Sequence, residues 1–236
     1  MHSWANRFLN RWVCVVVLLW GATSQADVVN FATPGGAFQV SVESMETLKF
    51  TRTVRQGFDF SCGSAALATL LTYHYDRPYS EGEVFQSMWE AGNSSKIRKE
   101  GFSMLDMKRF LGSRGLMADG FKIDASKIGA VGVAGIVLLD KSTSPHFVVV
   151  VGEEEGEILL SDPARGVWNM PIEEFEGLWN GVFFVIRQEA SLAKANFNDP
   201  ATWKRGRWAP IGDERLADLI APRLIDLPLW AEFNAN

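Results

Sequence analysis

Cys62 stands in the run Gln56-Gly57-Phe58-Asp59-Phe60-Ser61-Cys62-Gly63-Ser64-Ala65-Ala66-Leu67. A Cys-Gly step that opens directly into an Ala- and Leu-rich segment, read as a buried helix over residues 65–75, places the sulfur at a helix N-terminus. Unpaired N–H groups and the positive end of the helix dipole favour thiolate over thiol there. Thiolate is the nucleophilic form, so a cysteine in this position is prepared for attack on a carbonyl carbon. Such a reaction needs three further groups: a base, a group that orients the base, and a donor for the negative oxygen of the tetrahedral intermediate.

The histidines offer two bases in the body of the chain, His74 and His146. His74 lies twelve residues beyond Cys62 (74 − 62) on the same expected helix, roughly 18 Å away at 1.5 Å per residue. That is too far for a hydrogen bond, and His74 is expected to be structural. His146 follows Pro145 at the start of an apolar β-rich run, 84 residues downstream (146 − 62). A Cys/His pair needs adjacency in space, not in sequence, so His146 is the expected general base. An imidazole also needs a group that fixes its tautomer and orientation. Asp162, in Leu160-Ser161-Asp162-Pro163, ends a run expected to neighbour the His146 strand, and Pro163 stops that run with the carboxylate at the sheet end. Asp-Pro by itself reads simply as a turn; the Cys and His give it weight. Gln56, six residues before the nucleophile, can supply side-chain N–H groups to an oxyanion alongside the backbone N–H of Cys62.

The bulk properties fit a globular protein of 236 residues, 47% hydrophobic and 22% charged. A net charge of −5 and a pI near 5.3 do not favour nucleic acid or an anionic membrane surface as partner. There is no Gly-x-x-x-x-Gly-Lys-Ser/Thr run, hence no phosphate cradle and no expectation of ATP use. No cofactor or metal is called for by the residues. Arg7 and Arg11, the apolar run Val13 to Trp20 and the small residues Ser24 and Ala26 form the pattern of a secretory signal peptide over 1–26. The alternative is an uncleaved N-terminal anchor. Cys14 lies inside the apolar run, upstream of the small residues, which does not suit a lipid-attachment cysteine. Removal of the signal leaves Cys62 as the sole cysteine, so no internal disulfide is possible and a periplasmic location is expected. No stable membrane span is expected after removal of the signal.

The elements that must position these groups follow from pattern. Residues 27–54 read as an N-terminal strand region, with alternation over Phe38 to Val42 after a Pro34-Gly35-Gly36 turn. Ser80 caps an expected helix ending at Gly92, and Ser103 caps another ending at Ser113. From about Gly120 the period changes. Residues 135–139, 146–151 (ended by Gly152), 157–161 and 181–186 read as strands of one antiparallel sheet. Helices first and strands second is an α+β order. Residues 188–236 form an expected C-terminal extension, interrupted by Pro200, Pro210, Pro222 and Pro228, with Asp213 to Leu219 as its best short helix.

The set Gln56…Cys62-Gly63, Pro145-His146-Phe147-Val148-Val149-Val150 and Asp162-Pro163-Ala164-x-Gly166 resembles the C39 peptidases over roughly residues 55–187. That resemblance implies a papain-like α+β fold, N-terminal helices packed on an antiparallel sheet. It also implies catalytic roles for Cys62 (nucleophile), His146 (base), Asp162 (orienter) and Gln56 (oxyanion donor). Family members of the exporter type continue into membrane and ATPase domains, and no such domains are expected here. A stand-alone, exported form with a C-terminal extension is similar to the proteases encoded beside bacterial functional amyloid fibril systems. The substrate so implied is an exported protein or peptide, such as a fibril subunit. Two other functions use the same scaffold: a non-catalytic peptide-binding module, and a transglutaminase- or amidase-like acyl transferase. The presence of Cys62 favours an enzyme; the acyl acceptor is a matter of cleft shape.

Overall fold

The computed structural model describes residues 27–33, 36–42, 44–141 and 144–207. The signal segment over 1–26, the Pro34-Gly35 step and the short helix expected at Asp213 to Leu219 lie outside the described residues. The chain divides between Glu43 and Ser44 into two compact units. The first is an antiparallel hairpin of β1 (Asp27–Thr33) and β2 (Gly36–Val42), in register from Asp27 opposite Val42 to Thr33 opposite Gly36.

The second unit opens with α1 (Met45–Lys49), capped by Ser44, whose hydroxyl accepts from the Thr47 N–H at 3.1 Å. Then come α2 (Cys62–His74), α3 (Glu81–Ala91), α4 (Ser94–Glu100) and α5 (Met104–Ser113). β3 (Ala118–Lys122) follows, and a 3₁₀ turn over Ala125–Lys127 runs into α6 (Ile128–Val131). The strands β4 (Gly135–Lys141), β5 (Ser144–Glu154), β6 (Glu157–Asp162) and β7 (Gly166–Pro171) are continuous in sequence. α7 (Ile172–Leu178), β8 (Val182–Ile186), α8 (Ala190–Ala195) and α9 (Pro200–Arg207) complete the described chain. β3 to β8 form one six-stranded sheet in the order β3-β8-β4-β5-β6-β7, antiparallel throughout. Helices on such a sheet make the α+β, papain-like architecture.

α2 is the centre of the core. It has no polar stripe: Cys62 to Leu71 and His74 are all buried, against β5, α3 and the neighbouring helices. Ala65, Ala66 and Ala68 let it approach the sheet closely, and Leu67, Leu70 and Leu71 fill the space between. Each fully buried leucine stabilises by about 1.5–3 kcal/mol, against about 1 kcal/mol for a good cap. Packing therefore holds this helix, and it does so without a side-chain cap at Ser61. The helix begins at Cys62, three residues before the expected start at Ala65, because Ser61 closes the preceding loop onto Phe58 and leaves Cys62 as the first helical residue. α3 and α5 start where expected, each with a reciprocal box: Ser80 with Glu83, and Ser103 with Asp106.

Three expectations along the chain are corrected. Within the strand region expected over 27–54, β2 ends at Val42 and Met45–Lys49 is helical. β5 does not end at Gly152; it continues to Glu154 through a bulge between Val150 and Gly152. A Cβ on Gly152 would lie 2.5 Å from Asn198 Oδ1 and 3.0 Å from Trp203 Nε1, so the glycine admits a close approach instead of marking a stop. Asn198 accepts the Glu153 N–H at 2.7 Å and donates to the Glu153 carbonyl at 2.9 Å, which docks the segment before α9 on the bulge. Pro200 does not interrupt the C-terminal region. It opens α9, with the Asp199 carboxylate accepting from the Thr202 N–H at 2.9 Å.

Candidate active site

His146 is the third residue of β5 and pairs with Leu139 of β4. On the other side, Val149 faces Ser161 of β6. Asp162, the next residue, therefore shares a face with His146 as a diagonal neighbour across the pair. The side chains meet: His146 Nε2 lies 2.8 Å from Asp162 Oδ1. Asp162 closes the β6–β7 hairpin, pairing with Gly166, which sits in the left-handed region at φ +78°. The same Oδ1 accepts the N–H groups of Ala164 at 2.8 Å and Arg165 at 3.2 Å. The Asp-Pro turn is thus real, and it is what supplies the donors that hold the carboxylate. Asp162 is 1% exposed.

Cys62 arrives from the helical side. It is the first residue of α2, buried at 7% exposure, and its sulfur lies near enough to act on the His146 imidazole. Gly63 behind it is packed where no side chain fits without adjustment: a Cβ would lie 3.0 Å from Met107 Cε, 3.1 Å from Phe102 Cβ and 3.5 Å from the Phe147 ring. Phe147 adjoins His146, so the small residue at 63 lets α2 and β5 close on each other.

The charges of the site are coupled. Burial alone pulls the His146 imidazole toward the neutral form, but its hydrogen bonds to Asp162 and Cys62, with the negative charge of each, raise it to about 9. Burial pushes the Asp162 carboxyl up, yet the His146 hydrogen bond and charge and the Ala164 and Arg165 N–H groups outweigh it and hold Asp162 below the usual carboxylate range. Both directions favour an imidazolium–carboxylate pair.

Gln56 is brought near through its backbone. Its N–H donates to the carbonyl of Pro163 at 3.0 Å, tying the loop before Cys62 to the turn after Asp162. Its side-chain Nε2 donates to the Phe58 carbonyl at 3.1 Å, within that loop, and Oε1 is buried without a partner among the described residues. His74 is not part of the assembly. It closes α2 at the far end, 3% exposed, and burial together with the Arg52 charge lowers it to about 3. Of the residues singled out in the sequence, Cys62, His146 and Asp162 converge; Gln56 joins by a backbone bond; His74 stands apart.

A cleft of about 770 Å³ opens at Cys62. Phe60, Phe102, Met104, Leu138, Pro145 and Phe147 make its apolar walls, and Asp59, Arg98, Lys99 and Glu100 its charged rim. Arg98 and Lys99 belong to α4, a helix with no apolar stripe whose one buried residue is Ile97. Hydrophobic periodicity could not have found it; the Asn93 cap, accepting from the Lys96 N–H at 3.1 Å, was the available signal. Among the described residues no group of three or more His, Cys, Asp or Glu side chains is placed to hold a metal ion.

The peptidase C39 family model matches residues 51–191. A protein of Pseudomonas fluorescens named "Probable functional amyloid protease FapD" is 36% identical over 213 residues, covering 87% of this chain and 94% of the relative. The protein of the same name from Pseudomonas aeruginosa is 38% identical over 173 residues, covering 72% of this chain and 76% of the relative. Among solved structures, the peptidase domain of Streptococcus ComA, described as a bi-functional ABC transporter involved in a quorum-sensing pathway, superposes with a TM-score of 0.50 at 24% identity. That match covers 57% of this chain and 96% of the domain, and it speaks for the fold.

Proposed function

The chain belongs to the peptidase C39 family and is a cysteine peptidase, and from that premise we propose that it is a periplasmic endopeptidase that cuts an exported protein through a thioester on Cys62. The observation that carries the proposal is the run of contacts from Cys62 to His146 to Asp162. The Cys62 thiolate attacks the scissile carbonyl carbon, forming the S–C bond. The oxyanion that results is met by the Cys62 backbone N–H and the Gln56 side-chain amide. His146, protonated, gives its proton to the leaving nitrogen as the C–N bond breaks. A water then attacks the thioester, His146 takes its proton, and the S–C bond breaks to release the acid and restore the thiolate. Asp162 keeps the imidazole in the orientation both steps require.

The substrate we assign is a protein component of an amyloid fibril system, a fibril subunit foremost. What supports this is the function in the names of the two Pseudomonas relatives and a cleft with apolar walls and a charged rim, which suits an extended peptide. The location rests on the signal pattern over 1–26; no helix among the described residues is long and apolar enough to cross a membrane. The experiment is incubation of the pure protein with exported fibril-system proteins, followed by mass mapping, beside Cys62→Ala and Cys62→Ser. Cleavage by wild type and none by either variant, with unchanged thermal melts, is expected. Full cleavage by Cys62→Ala removes the mechanism.

A further inference from the structure

We propose that the buried hydroxyls of Thr53 and Ser161 form a clasp that sets where Gln56 stands relative to Asp162 and Cys62, which makes Thr53 and Ser161 positioning residues for the reaction. The proposal rests on the peptidase reading above and on Gln56 as oxyanion donor.

Residues 52–56 lead into the nucleophile loop but belong to no helix or strand. Backbone without a ladder must find its hydrogen bonds elsewhere. The Thr53 N–H turns back to the Phe50 carbonyl at 3.2 Å, and two others reach the segments that carry the nucleophile and the carboxylate. The Val54 N–H donates to the Thr69 hydroxyl on α2 at 2.9 Å, and the Gln56 N–H donates to the Pro163 carbonyl at 3.0 Å. One residue before Val54, Thr53 Oγ1 is hydrogen-bonded to Ser161 Oγ across 108 residues of sequence. Ser161 Oγ is also 3.3 Å from the Arg52 carbonyl, to which it donates. That bond uses the Ser161 proton, so Thr53 donates to Ser161.

Thr53 is 3% exposed and Ser161 1% exposed. A hydroxyl in such a place is costly unless bonded, and these two satisfy each other. Ser161 is the residue before Asp162, and Thr53 is three before Gln56 (56 − 53). The clasp therefore fixes the distance between the carboxylate turn and the oxyanion loop, while Thr69 fixes that loop against the helix that begins at Cys62. Methyl-for-hydroxyl exchange at residue 53 keeps the volume and removes the bond. The loop then loses its anchor beside β6, and the Gln56 amide loses its place. Misplacement on the scale of 1 Å costs about 100-fold in rate, so a partial loosening costs about 10-fold.

The test uses a fluorogenic peptide with a Gly-Gly step before an aminocoumarin leaving group, with hydrogen exchange at the Gln56 amide as a readout independent of turnover. Thr53→Val is expected to lower kcat about 10-fold, leave KM within about twofold, and speed Gln56 exchange about 10-fold. The rate of Cys62 alkylation by iodoacetamide stays as in wild type. Thr53→Ser, which keeps the hydroxyl, restores both values. Ser161→Ala lowers kcat likewise, and the double variant Thr53→Val/Ser161→Ala is no slower than the slower single one, because the second change removes a bond already lost. If Thr53→Val is too unstable to assay, Ser161→Ala decides by the same kcat and Gln56 exchange readouts. Wild type without Cys62-dependent cleavage of the peptide sinks the peptidase reading, and the positioning role falls with it. Cleavage by wild type that Thr53→Val retains in full, or unchanged Gln56 exchange, overturns the clasp alone.

Discussion

Asp162 holds His146 through a single oxygen: Oδ1 accepts His146 Nε2 at 2.8 Å and also the N–H groups of Ala164 and Arg165. The carboxylate is fixed by its own turn before it meets the imidazole. Orientation of the ring is then a property of the β6–β7 hairpin, and a change at Asp162 is felt both as charge and as geometry.

That pair gives stability a pH signature. His146 is raised from 6.5 to about 9, so its contribution is complete below about 6.5 and is lost as pH rises through about 9. Asp162 is lowered from 3.8, so its contribution is complete above about 3.8 and is lost as pH falls through its lower native value. Thermal stability is expected to be flat between these limits and to decline toward alkaline pH. In Asp162→Asn the alkaline decline shrinks and shifts to lower pH. Chemical denaturation across pH, beside an NMR titration of His146, checks this. Identical profiles in wild type and Asp162→Asn would show that the carboxylate does not set the imidazole.

The two histidines are expected to separate. His146→Ala should lower kcat/KM by about 10²–10⁴-fold, the range for loss of general acid–base help. His74→Ala should leave turnover of the folded protein within about twofold and lower the melting temperature, since it opens a cavity at the buried end of α2. Equal losses of kcat/KM in both variants would mean that the base is misassigned.

Gly63→Ala tests the close approach beside Cys62. The added methyl meets Met107 Cε at 3.0 Å and Phe102 Cβ at 3.1 Å. Overpacking of this kind costs about 1–3 kcal/mol. Because the crowding falls next to Cys62 and against Phe147, turnover should drop with stability. A variant as stable and as active as wild type would show that the contact is loose.

Cleavage is expected in another protein and not in this chain. Resemblance to the C39 peptidases implies a small Gly-Gly or Gly-Ala step before the scissile bond, and this chain has Gly35-Gly36. The flanking Asn30 and Thr33 lack the apolar anchors such leaders present. N-terminal sequencing should find Asp27 in both wild type and Cys62→Ala. A wild-type N-terminus at Ala37 that reverts to Asp27 in the variant would establish self-processing.

The sequence by itself determined the parts whose physics is local. The Cys62-Gly63 step before an Ala/Leu run marks a helix start. Ser80 and Ser103 mark two more, through boxes closed within four residues. The apolar β-rich runs mark β4, β5, β6 and β8, and Pro163 marks where β6 must stop. Pattern did not mark β3, whose Ala118-Asp119-Gly120-Phe121-Lys122 alternates poorly because it is an edge strand exposed along most of its length. It did not mark α4 either, since a polar helix with one buried side chain needs no apolar stripe. Tertiary structure alone decided the relations between distant segments. Gly152 looks like a strand end until Asn198 and Trp203 are seen against it. Thr53 and Ser161 are unremarkable letters until folding removes water from both and leaves each as the other's partner. A hydroxyl's role depends on what is buried beside it, and no spacing along the chain encodes a neighbour 108 residues away.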